Sequence, residues 1–319
     1  MTSVYSVDHY VDDRDDHVHL GVWNNALDSV CSISPGDVVQ FECRDAANTY
    51  FDESSTADEL ADKPDDGHPL TGPVYVEDAS PGDVLVVDLL EFDHHGFGVS
   101  YFYPGTAGMG LLPESFDDPG LHVWELDRDV GRFVDGIEVP LDPFPGIAGV
   151  APAEAGDHST VPPRSVGGNV DVKQLTAGST LYLPVAVDGA LFSIGDCHGA
   201  QGDGEVCVTG IEAPMNVTAR FGVRSDLTID QPQFETTGPF TATGVDEPMY
   251  GTMGIADDLM AATKRATEAM IDHLHTERGI AREDAYILCS VAMDLKVNQV
   301  VDAPNWTVSA YLPESLFPD

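Results

Sequence analysis

A repeated turn ahead of an apolar run is the feature that most limits the fold of this chain. The pentapeptide SPGDV occurs twice, at 34–38 and 80–84, and each copy precedes a run rich in β-branched and aromatic residues. A third turn of similar composition, TAGS (176–179), introduces the run TLYLPVAV. Proline and glycine favour a tight turn, and the alternating run that follows favours a half-buried strand. We therefore predict repeated β-structure, without the regular period of a solenoid.

Strong helical periodicity is confined to the C-terminal part of the chain. Apolar residues recur at helical spacing over 255–278, and Gly279 follows as a C-terminal stop. The next apolar run, YILCSVAM (286–293), is interpreted as a strand. The predicted fold class is mainly β, with β-sandwich or barrel-like modules and a small C-terminal α+β unit containing one long helix. We predict an N-terminal β-rich domain over 1–172 and a C-terminal β/α+β domain over 173–319.

The charge of the chain limits its partners and its surroundings. It carries 55 acidic and 14 basic residues, a formal net charge of −41, yet its hydrophobic share of 42% is that of a globular protein. Such a surface repels nucleic acid and anionic membranes, because phosphate binding requires lysine and arginine. High salt would screen the repulsion among the carboxylates, so we expect a halophilic, archaeal source.

The location of the protein is inferred from its cysteines and from the lack of an export pattern. Five cysteines occur without CxxC spacing, which favours reduced thiols over a disulfide framework. The N-terminal segment lacks the pattern of a signal peptide, and no apolar run approaches the ~20 residues that span a bilayer. We expect a cytoplasmic protein without membrane contact, and general priors for such proteins favour a homodimer.

The loop GDCHGAQGDGE (195–205) is the strongest candidate site, and the runs on both sides of it (180–194 and 206–213) are interpreted as strands. Asp196 and His198 are two residues apart and would point the same way on a strand. Asp203 and Glu205 repeat this spacing after a glycine turn. We predict a divalent metal site, with histidine favouring zinc and calcium remaining an alternative. Glu205 is interpreted either as a ligand or as a general base.

A second loop, GGNVD (167–171), is a candidate for completing the site. We assign Asp171 as a further metal ligand and Asn169, with Gln201 and Gly202, as substrate-binding residues. A simple Asn/Asp turn ahead of a strand is the alternative. Four weaker candidates are Glu42, Asp45, Lys173 and Glu212. The acidic stretch 52–73, which is broken by proline, is interpreted as a surface excursion.

The motif FSIGDCHGAQGDGEVCVTGIEAP (192–214) closely resembles the signature of the acetamidase/formamidase family. The resemblance extends through PFPGIAGVAPAEAG (143–156), PPRSVGGNVDVKQLTAGSTLYLPV (162–185), MGIADDLMAATKRA (253–266) and AYILCSVAMDLKVNQVVD (285–302). It therefore covers nearly the whole chain. The resemblance implies an enzyme that hydrolyses short carboxamides to a carboxylate and ammonia, with His198 and Glu205 as its catalytic residues.

Two other functions remain open at this point. A calcium site that holds the glycine-rich loop would suit a non-catalytic, metal-stabilised β-protein that binds a small ligand. Alternatively, Cys197 would act as a nucleophile with Glu205 and Lys173, as in amidases of the nitrilase type. Neighbouring carboxylates favour the neutral thiol, which argues against the thiolate that this second mechanism needs.

Overall fold

The computed structural model describes residues 5–106, 108–236, 248–300 and 303–317. These residues form a mainly β protein with two helices near the C-terminus, which confirms the predicted fold class. The first twelve strands are β1 (His9–Val11), β2 (Val18–Leu20), β3 (Val22–Trp23), β4 (Cys31–Ile33), β5 (Val38–Cys43), β6 (Pro69–Val76), β7 (Val84–His94), β8 (Phe97–Phe102), β9 (Gly120–Asp127), β10 (Val130–Arg132), β11 (Glu138–Pro140) and β12 (Phe144–Val150). The later strands are β13 (His158–Ser159), β14 (Gly167–Asn169), β15 (Thr180–Pro184), β16 (Phe192–His198), β17 (Met215–Arg224), β18 (Gln233–Glu235), β19 (Met249–Ala256), β20 (Asp294–Gln299) and β21 (Trp306–Pro313). The helices are α1 (Leu259–Arg278) and α2 (Arg282–Ala292).

The three predicted turn-and-strand modules are confirmed, and all three belong to one sheet. This six-stranded sheet has the order β1-β5-β17-β7-β15-β18, in which β5, β7 and β15 are the strands that follow the three turns. In the two SPGDV copies the aspartate closes the turn in the same way. Asp37 accepts a hydrogen bond from the Ser34 amide at 2.8 Å, and Asp83 accepts one from the Ser80 amide at 2.9 Å. Identical local sequence thus gives an identical turn.

A second six-stranded sheet carries the candidate site. Its main path is β14-β12-β16-β6-β2, and β4 pairs with β6. It packs on the first sheet through aromatic contacts, with the Phe192 ring of β16 lying 5.9 Å from Phe41 and 5.1 Å from Phe221. All three rings are at most 1% exposed, so the core lies between the sheets. Burying each such side chain contributes about 1.5–3 kcal/mol.

The boundary predicted at residue 172 stays a prediction. Strands from both sides of this position pair with each other in both large sheets. In the first sheet β17 lies between β5 and β7, and in the second β16 lies between β12 and β6. The backbone pairing therefore interweaves the two halves of the chain.

A small unit near the C-terminus packs α1 on the three-stranded sheet β19-β21-β20. The helix begins at Leu259 rather than at 255, because residues up to Ala256 belong to β19. Asp258 caps its first turn by accepting the Ala261 amide at 2.8 Å. The predicted stop at Gly279 is confirmed by the left-handed backbone of this glycine, with a φ of 72°. No helix among the described residues combines the length and the apolar character needed to cross a membrane.

The run 286–293 is helical up to Ala292, so the predicted strand is wrong. It forms most of α2, a helix in which every residue from Ala285 to Val291 is buried. A helix that is buried on all sides shows no 3.6-residue alternation of apolar and polar positions. A short apolar run of this kind fits a strand or a helix equally well by periodicity.

Candidate active site

The candidate site lies at the end of β16 and in the loop that follows this strand. Asp196 and His198 both face it, while the side chain of Cys197 between them packs in the core beside Cys43. This is the alternation expected of neighbouring strand residues. The sequence predicts a strand over 206–213, after the loop, but the structure has no strand there. Only Glu212 pairs there, through isolated bridges to Val99 and His198.

The Nε2 atom of His198 is the centre of a group of carboxylates. It lies 3.1 Å from Oε2 of Glu212, 3.7 Å from Oδ1 of Asp196 and 3.8 Å from Oε1 of Glu205. The side chains of His198, Asp196 and Glu212 are at most 5% exposed, whereas that of Glu205 is 19% exposed. Asp171 completes the group from the other side, where it clusters with Asp196 and His198.

Gln201 sets the orientation of the histidine ring. Its Oε1 atom lies 2.8 Å from Nδ1 of His198, and its amide nitrogen donates to the backbone carbonyl of Asp171 at 3.1 Å. The amide nitrogen acts as a donor, so Oε1 is the acceptor and Nδ1 of His198 carries the proton. In the neutral ring the lone pair is then on Nε2, which faces the carboxylates. Gln201, which is predicted to bind the substrate, thus contacts the Nδ1 side of the His198 ring, away from the carboxylates at Nε2.

Asp171 reaches the group because β14 pairs with β12. The amides of Val170 and Asp171 both donate to the carbonyl of Gly146 on β12, at 3.1 and 3.2 Å. A Cβ atom on Gly146 would lie 2.9 Å from Oδ1 of Asp171 and 3.0 Å from Oδ2 of Asp196. It would also lie 2.7 Å from the Asp196 carbonyl oxygen, a distance too short for a real Cβ contact, so glycine at this position lets the two carboxylates approach each other.

Three of the site carboxylates lie on unusual backbone. The φ angles of Asp171, Asp196 and Glu205 are 48°, 51° and 42°, in the left-handed region that non-glycine residues rarely adopt. Such conformations cost on the order of 1–3 kcal/mol each and concentrate where function requires a fixed geometry. Their coincidence at three residues of one group makes this group the candidate functional centre.

The electrostatics of the group follow from its burial. Burial raises the pKa of Asp171 to about 7 and that of Glu212 to about 8, and it raises the pKa of Glu205 well above its usual range. Burial by itself lowers the pKa of His198, but Glu212 and Asp196 raise it well above the usual value. Without a cation, this group therefore holds extra protons to reduce the repulsion among its carboxylates.

The donor set fits a divalent cation. Among the buried polar atoms without a hydrogen-bond partner are Oδ1 of Asp171, Nε2 of His198 and Oε2 of Glu212, which face one another across the group. At 3.1 Å, Nε2 and Oε2 are close but poorly aligned for a hydrogen bond. Zinc bound at 2.0–2.2 Å separates neighbouring ligand atoms by roughly 3.3–3.6 Å, close to the 3.1–3.8 Å found here.

Some predicted residues lie outside this group. Asp203 lies beside Lys173 and Asp294, because its backbone amide donates to Oδ1 of Asp294 at 3.1 Å. Lys173 forms a buried ion pair with this same Asp294. Gly202 packs against α2, where its amide donates to the Ser290 carbonyl at 2.7 Å.

Two of the weaker candidates, Glu42 and Asp45, also lie outside this group, whereas a third, Glu212, belongs to it. Glu42 accepts a hydrogen bond from the Tyr10 hydroxyl at 2.7 Å, and Asp45 accepts the amides of Ala47 and Thr49. Glu212, one of the four weaker candidates from the sequence, is 2% exposed and lies 3.1 Å from Nε2 of His198. The only sequence signal for it was its proximity to the loop.

A cavity of about 530 Å³ opens next to the carboxylates. Its walls combine the polar group with Tyr101 of β8 and with part of the stretch 52–73. This stretch was interpreted as a surface excursion, but its residues between 60 and 68 form a wall of the cavity. The lining residues are Ala46, Leu60, Lys63, Pro64, Asp65, Gly67, His68, Tyr101, Tyr103, Pro104, Met109, Val161, Asn169, Asp196, Glu205, Val208, Thr209 and Glu212. Of the predicted substrate-binding residues, Asn169 faces this cavity, and its Oδ1 atom has no hydrogen-bond partner.

Comparisons with known proteins agree with this geometry. A sequence model described as the acetamidase/formamidase family matches residues 6–156 and 153–319. The formamidase of Methylophilus methylotrophus is 25% identical over 370 aligned residues, which cover 96% of this chain and 90% of that protein. The acetamidase of Mycolicibacterium smegmatis is 28% identical and covers 77% of this chain and 76% of its own length.

Solved structures show the same relationship. A gamma lactamase from Delftia acidovorans superposes with a TM-score of 0.88 at 26% identity, over 96% of this chain and 91% of that chain. An acetamidase from Bacillus halodurans gives a TM-score of 0.66 at 31% identity, over 95% and 97% of the two chains. The fold and the sequence define an enzyme of the hydrolase class that acts on linear amide C–N bonds. The chain belongs to the acetamidase/formamidase family.

Proposed function

We propose that this protein is a metal-dependent amidohydrolase that cleaves short carboxamides, such as formamide and acetamide, to a carboxylate and ammonia. The single observation that carries this proposal is the buried group around Nε2 of His198, which adjoins a cavity open to a small substrate. The names of the relatives support the choice of an amide bond, and the position of the group at the cavity supports catalysis.

We assign His198, Asp196 and Glu212 as ligands of a divalent cation, with Asp171 as a further carboxylate of the same shell. Histidine together with carboxylates favours zinc, and calcium remains the alternative with an all-oxygen shell. A bound cation would supply a Lewis acid and would lower the pKa of a coordinated water. This set keeps three of the ligands predicted from the sequence and replaces Asp203 by Glu212.

Glu205 is proposed as the general base. Of the three carboxylates that lie within 3.8 Å of Nε2, it is the most exposed, and it lines the cavity. Its carboxylate accepts a proton from the attacking water as the water oxygen forms a bond to the amide carbon. The proton then passes to the leaving nitrogen as the C–N bond breaks, which gives ammonia and a carboxylic acid, and the acid then loses its proton to become the carboxylate. Asn169 has an unpaired side-chain oxygen in the same cavity, suited to accept an N–H of the substrate amide.

Prolonged treatment with a strong chelator tests the metal requirement. We expect amide hydrolysis, measured as ammonia release, to fall to background and to return with one divalent ion. The His198→Ala variant should show the same loss together with a lower metal content. Full activity in a protein that elemental analysis shows to be free of metal would refute the metal-dependent mechanism.

The structure disfavours the two other functions. Cys197 is fully buried, does not line the cavity, and has a pKa raised well above the usual thiol value by its contact with Cys43 and by burial. These properties suit a packed thiol rather than a nucleophile. A purely structural metal site is filled by protein ligands, whereas this group faces a cavity large enough for a ligand.

We further propose that the enzyme works as a cytoplasmic homodimer in a halophilic, archaeal cell. Support for the location comes from five cysteines that are all free thiols, four of them buried. Support for high salt comes from the formal charge of −41. The dimer rests on the general prevalence of two-fold assemblies among such enzymes. Size-exclusion chromatography with light scattering in molar potassium chloride tests the dimer.

A further inference from the structure

The cavity beside the carboxylates is much larger than formamide or acetamide. Acetamide has four non-hydrogen atoms and occupies on the order of 100 Å³, if each water-sized group takes about 30 Å³. The cavity of about 530 Å³ is in the range that holds considerably larger ligands. A small amide at the carboxylates would leave roughly four fifths of this space to water.

The part of the cavity away from the carboxylates is mainly apolar and aromatic. Tyr101 on β8 lines the cavity next to Thr209, whose hydroxyl accepts a hydrogen bond from the Tyr101 amide at 3.0 Å. The Tyr103 ring contacts the Tyr101 ring at 5.8 Å, and Leu60, only 3% exposed, belongs to the same apolar cluster. Phe51 packs behind Tyr101 at 5.5 Å. This wall is therefore a packed surface that presents rings and aliphatic groups to a ligand.

Charged groups at the cavity favour a neutral ligand. Asp196, Glu205 and Glu212 occupy the inner end, and Asp65 adds another carboxylate. Lys63 is the one lysine or arginine among the lining residues, and its Nζ atom lies 5.9 Å from the centre of the Tyr101 ring. This Nζ donates a hydrogen bond to the backbone carbonyl of Pro64 at 3.3 Å. Even with a divalent cation bound to Asp196 and Glu212, these groups together carry no net positive charge, so the cavity offers little attraction for an anion.

We infer that the enzyme prefers neutral primary amides with a bulky apolar acyl group, such as an aryl or cycloalkyl group, over formamide and acetamide. This inference rests on the proposed amide hydrolysis. The amide end of the substrate lies at Glu205 and Asn169, and the acyl group packs against Tyr101, Tyr103 and Leu60. Each methylene buried in this way is worth about a fourfold gain in kcat/KM. We therefore expect kcat/KM for phenylacetamide to exceed that for acetamide by about 10²-fold or more.

The test compares kcat/KM for formamide, acetamide, phenylacetamide, cyclohexanecarboxamide and succinamate, with ammonia release as the readout. The Ala46→Phe variant fills the apolar part of the cavity and should lower the ratio of phenylacetamide to acetamide by about tenfold or more. Because Ala46 is only 9% exposed and a large side chain there is hard to accommodate, Val161→Trp provides a second variant at a position that is 49% exposed. Val297→Trp, at a position 58% exposed on β20 that does not line the cavity, is the matched control and should leave the ratio unchanged.

Three other outcomes would refute the inference, and they can be told apart. A kcat/KM for acetamide equal to or above that for phenylacetamide refutes the bulky acyl group while leaving amide hydrolysis intact. A preference for succinamate that disappears in Lys63→Met would show that the cavity takes an anionic acyl group instead. Hydrolysis of none of the five amides would refute the proposed function and this inference with it.

Discussion

His198 is fixed from three directions before any ligand arrives. Its ring meets the Phe144 ring edge to face at 5.1 Å, and its Nδ1 atom is held by Gln201. On the third side, a Cβ atom on Gly210 would lie 2.8 Å from Nδ1, so this position requires glycine. A ring held in this way presents Nε2 to the carboxylates without further loss of side-chain entropy, which favours ligand binding.

Replacing Glu205 separates the role of a base from that of a ligand. The Glu205→Gln variant keeps the shape of the side chain but removes the proton acceptor, so turnover should fall by about 10²–10⁴-fold. Metal content should stay at the wild-type value, because His198, Asp196 and Glu212 are unchanged. Ammonia release and elemental analysis measure the two effects. Asp203→Asn, beside Lys173 and outside the group, is the matched control and should retain activity. Loss of metal in Glu205→Gln would instead identify Glu205 as a ligand.

Gly146→Ala tests whether the close approach of two carboxylates is essential. Its Cβ atom would lie 2.7 Å from the Asp196 carbonyl oxygen and 2.9 Å from Oδ1 of Asp171, so these groups must move. A displacement of about 1 Å at a reacting centre costs about 10²-fold in rate, and we expect a loss of this size. Gly222→Ala on β17, whose Cβ would meet only Val86 at 3.6 Å, is the control. Equal kcat/KM in both variants would contradict this account of the site.

Replacing Cys197 tests the thiol mechanism directly. Cys197→Ala removes a buried sulfur on the core side of β16, so the melting temperature should fall while most of the amide hydrolysis remains. The loss of a small buried group destabilises by about 1 kcal/mol. Calorimetry and ammonia release measure the two effects. Complete inactivation with unchanged metal content, together with a trapped thioester, would establish the nucleophile instead.

At the scale of elements, the end of α1 depends on the backbone of one residue. Gly279 has a φ of 72°, and a Cβ atom there would meet nothing within 4 Å. A side chain at this position therefore costs free energy because of the left-handed backbone, and not because of a clash with neighbouring atoms. Gly279→Ala should lower the free energy of unfolding by about 1–2 kcal/mol. Gly279→Asn, which tolerates this backbone better, should lose less in the same urea titration; equal losses would mean that the cap is not the cause.

Local sequence predicted some elements well and others poorly. The SPGDV turns and the stop at Gly279 follow from residues within one turn, so the sequence contains their cause. The helix α2 could not be recognised, because its burial on all sides comes from packing against distant strands. The stretch 206–213 is also apolar without being a strand, since only Glu212 forms β-bridges there and these are isolated.

At the scale of the whole molecule, charge governs the dependence on salt. With a formal charge of −41, carboxylates repel one another over a Debye length of ~30 Å at 0.01 M salt and only ~3 Å at 1 M. Unfolding separates these charges, so salt should stabilise the folded state. We expect both the thermal midpoint and the amidase activity to rise from 0.1 M to 1 M potassium chloride, which correspond to Debye lengths of ~10 and ~3 Å. A glycerol series of matched osmolality is the control. Equal stability and activity at both salt concentrations would contradict the proposal of a halophilic source.

The sequence by itself determined the turns, the mainly β class and the loop that carries Asp196, His198 and Glu205, because each of these depends on residues close together in the chain. Only the tertiary structure decided which distant groups join them. The pairing of β14 with β12 delivers Asp171, the bridges of Glu212 to Val99 and His198 bring in a buried carboxylate, and the contact with Asp294 holds Asp203 elsewhere. The spacing of Asp203 and Glu205 suggested that both face one site. In the folded chain Glu205 adopts a left-handed backbone, with a φ of 42°, so strand alternation does not hold there and the two side chains diverge.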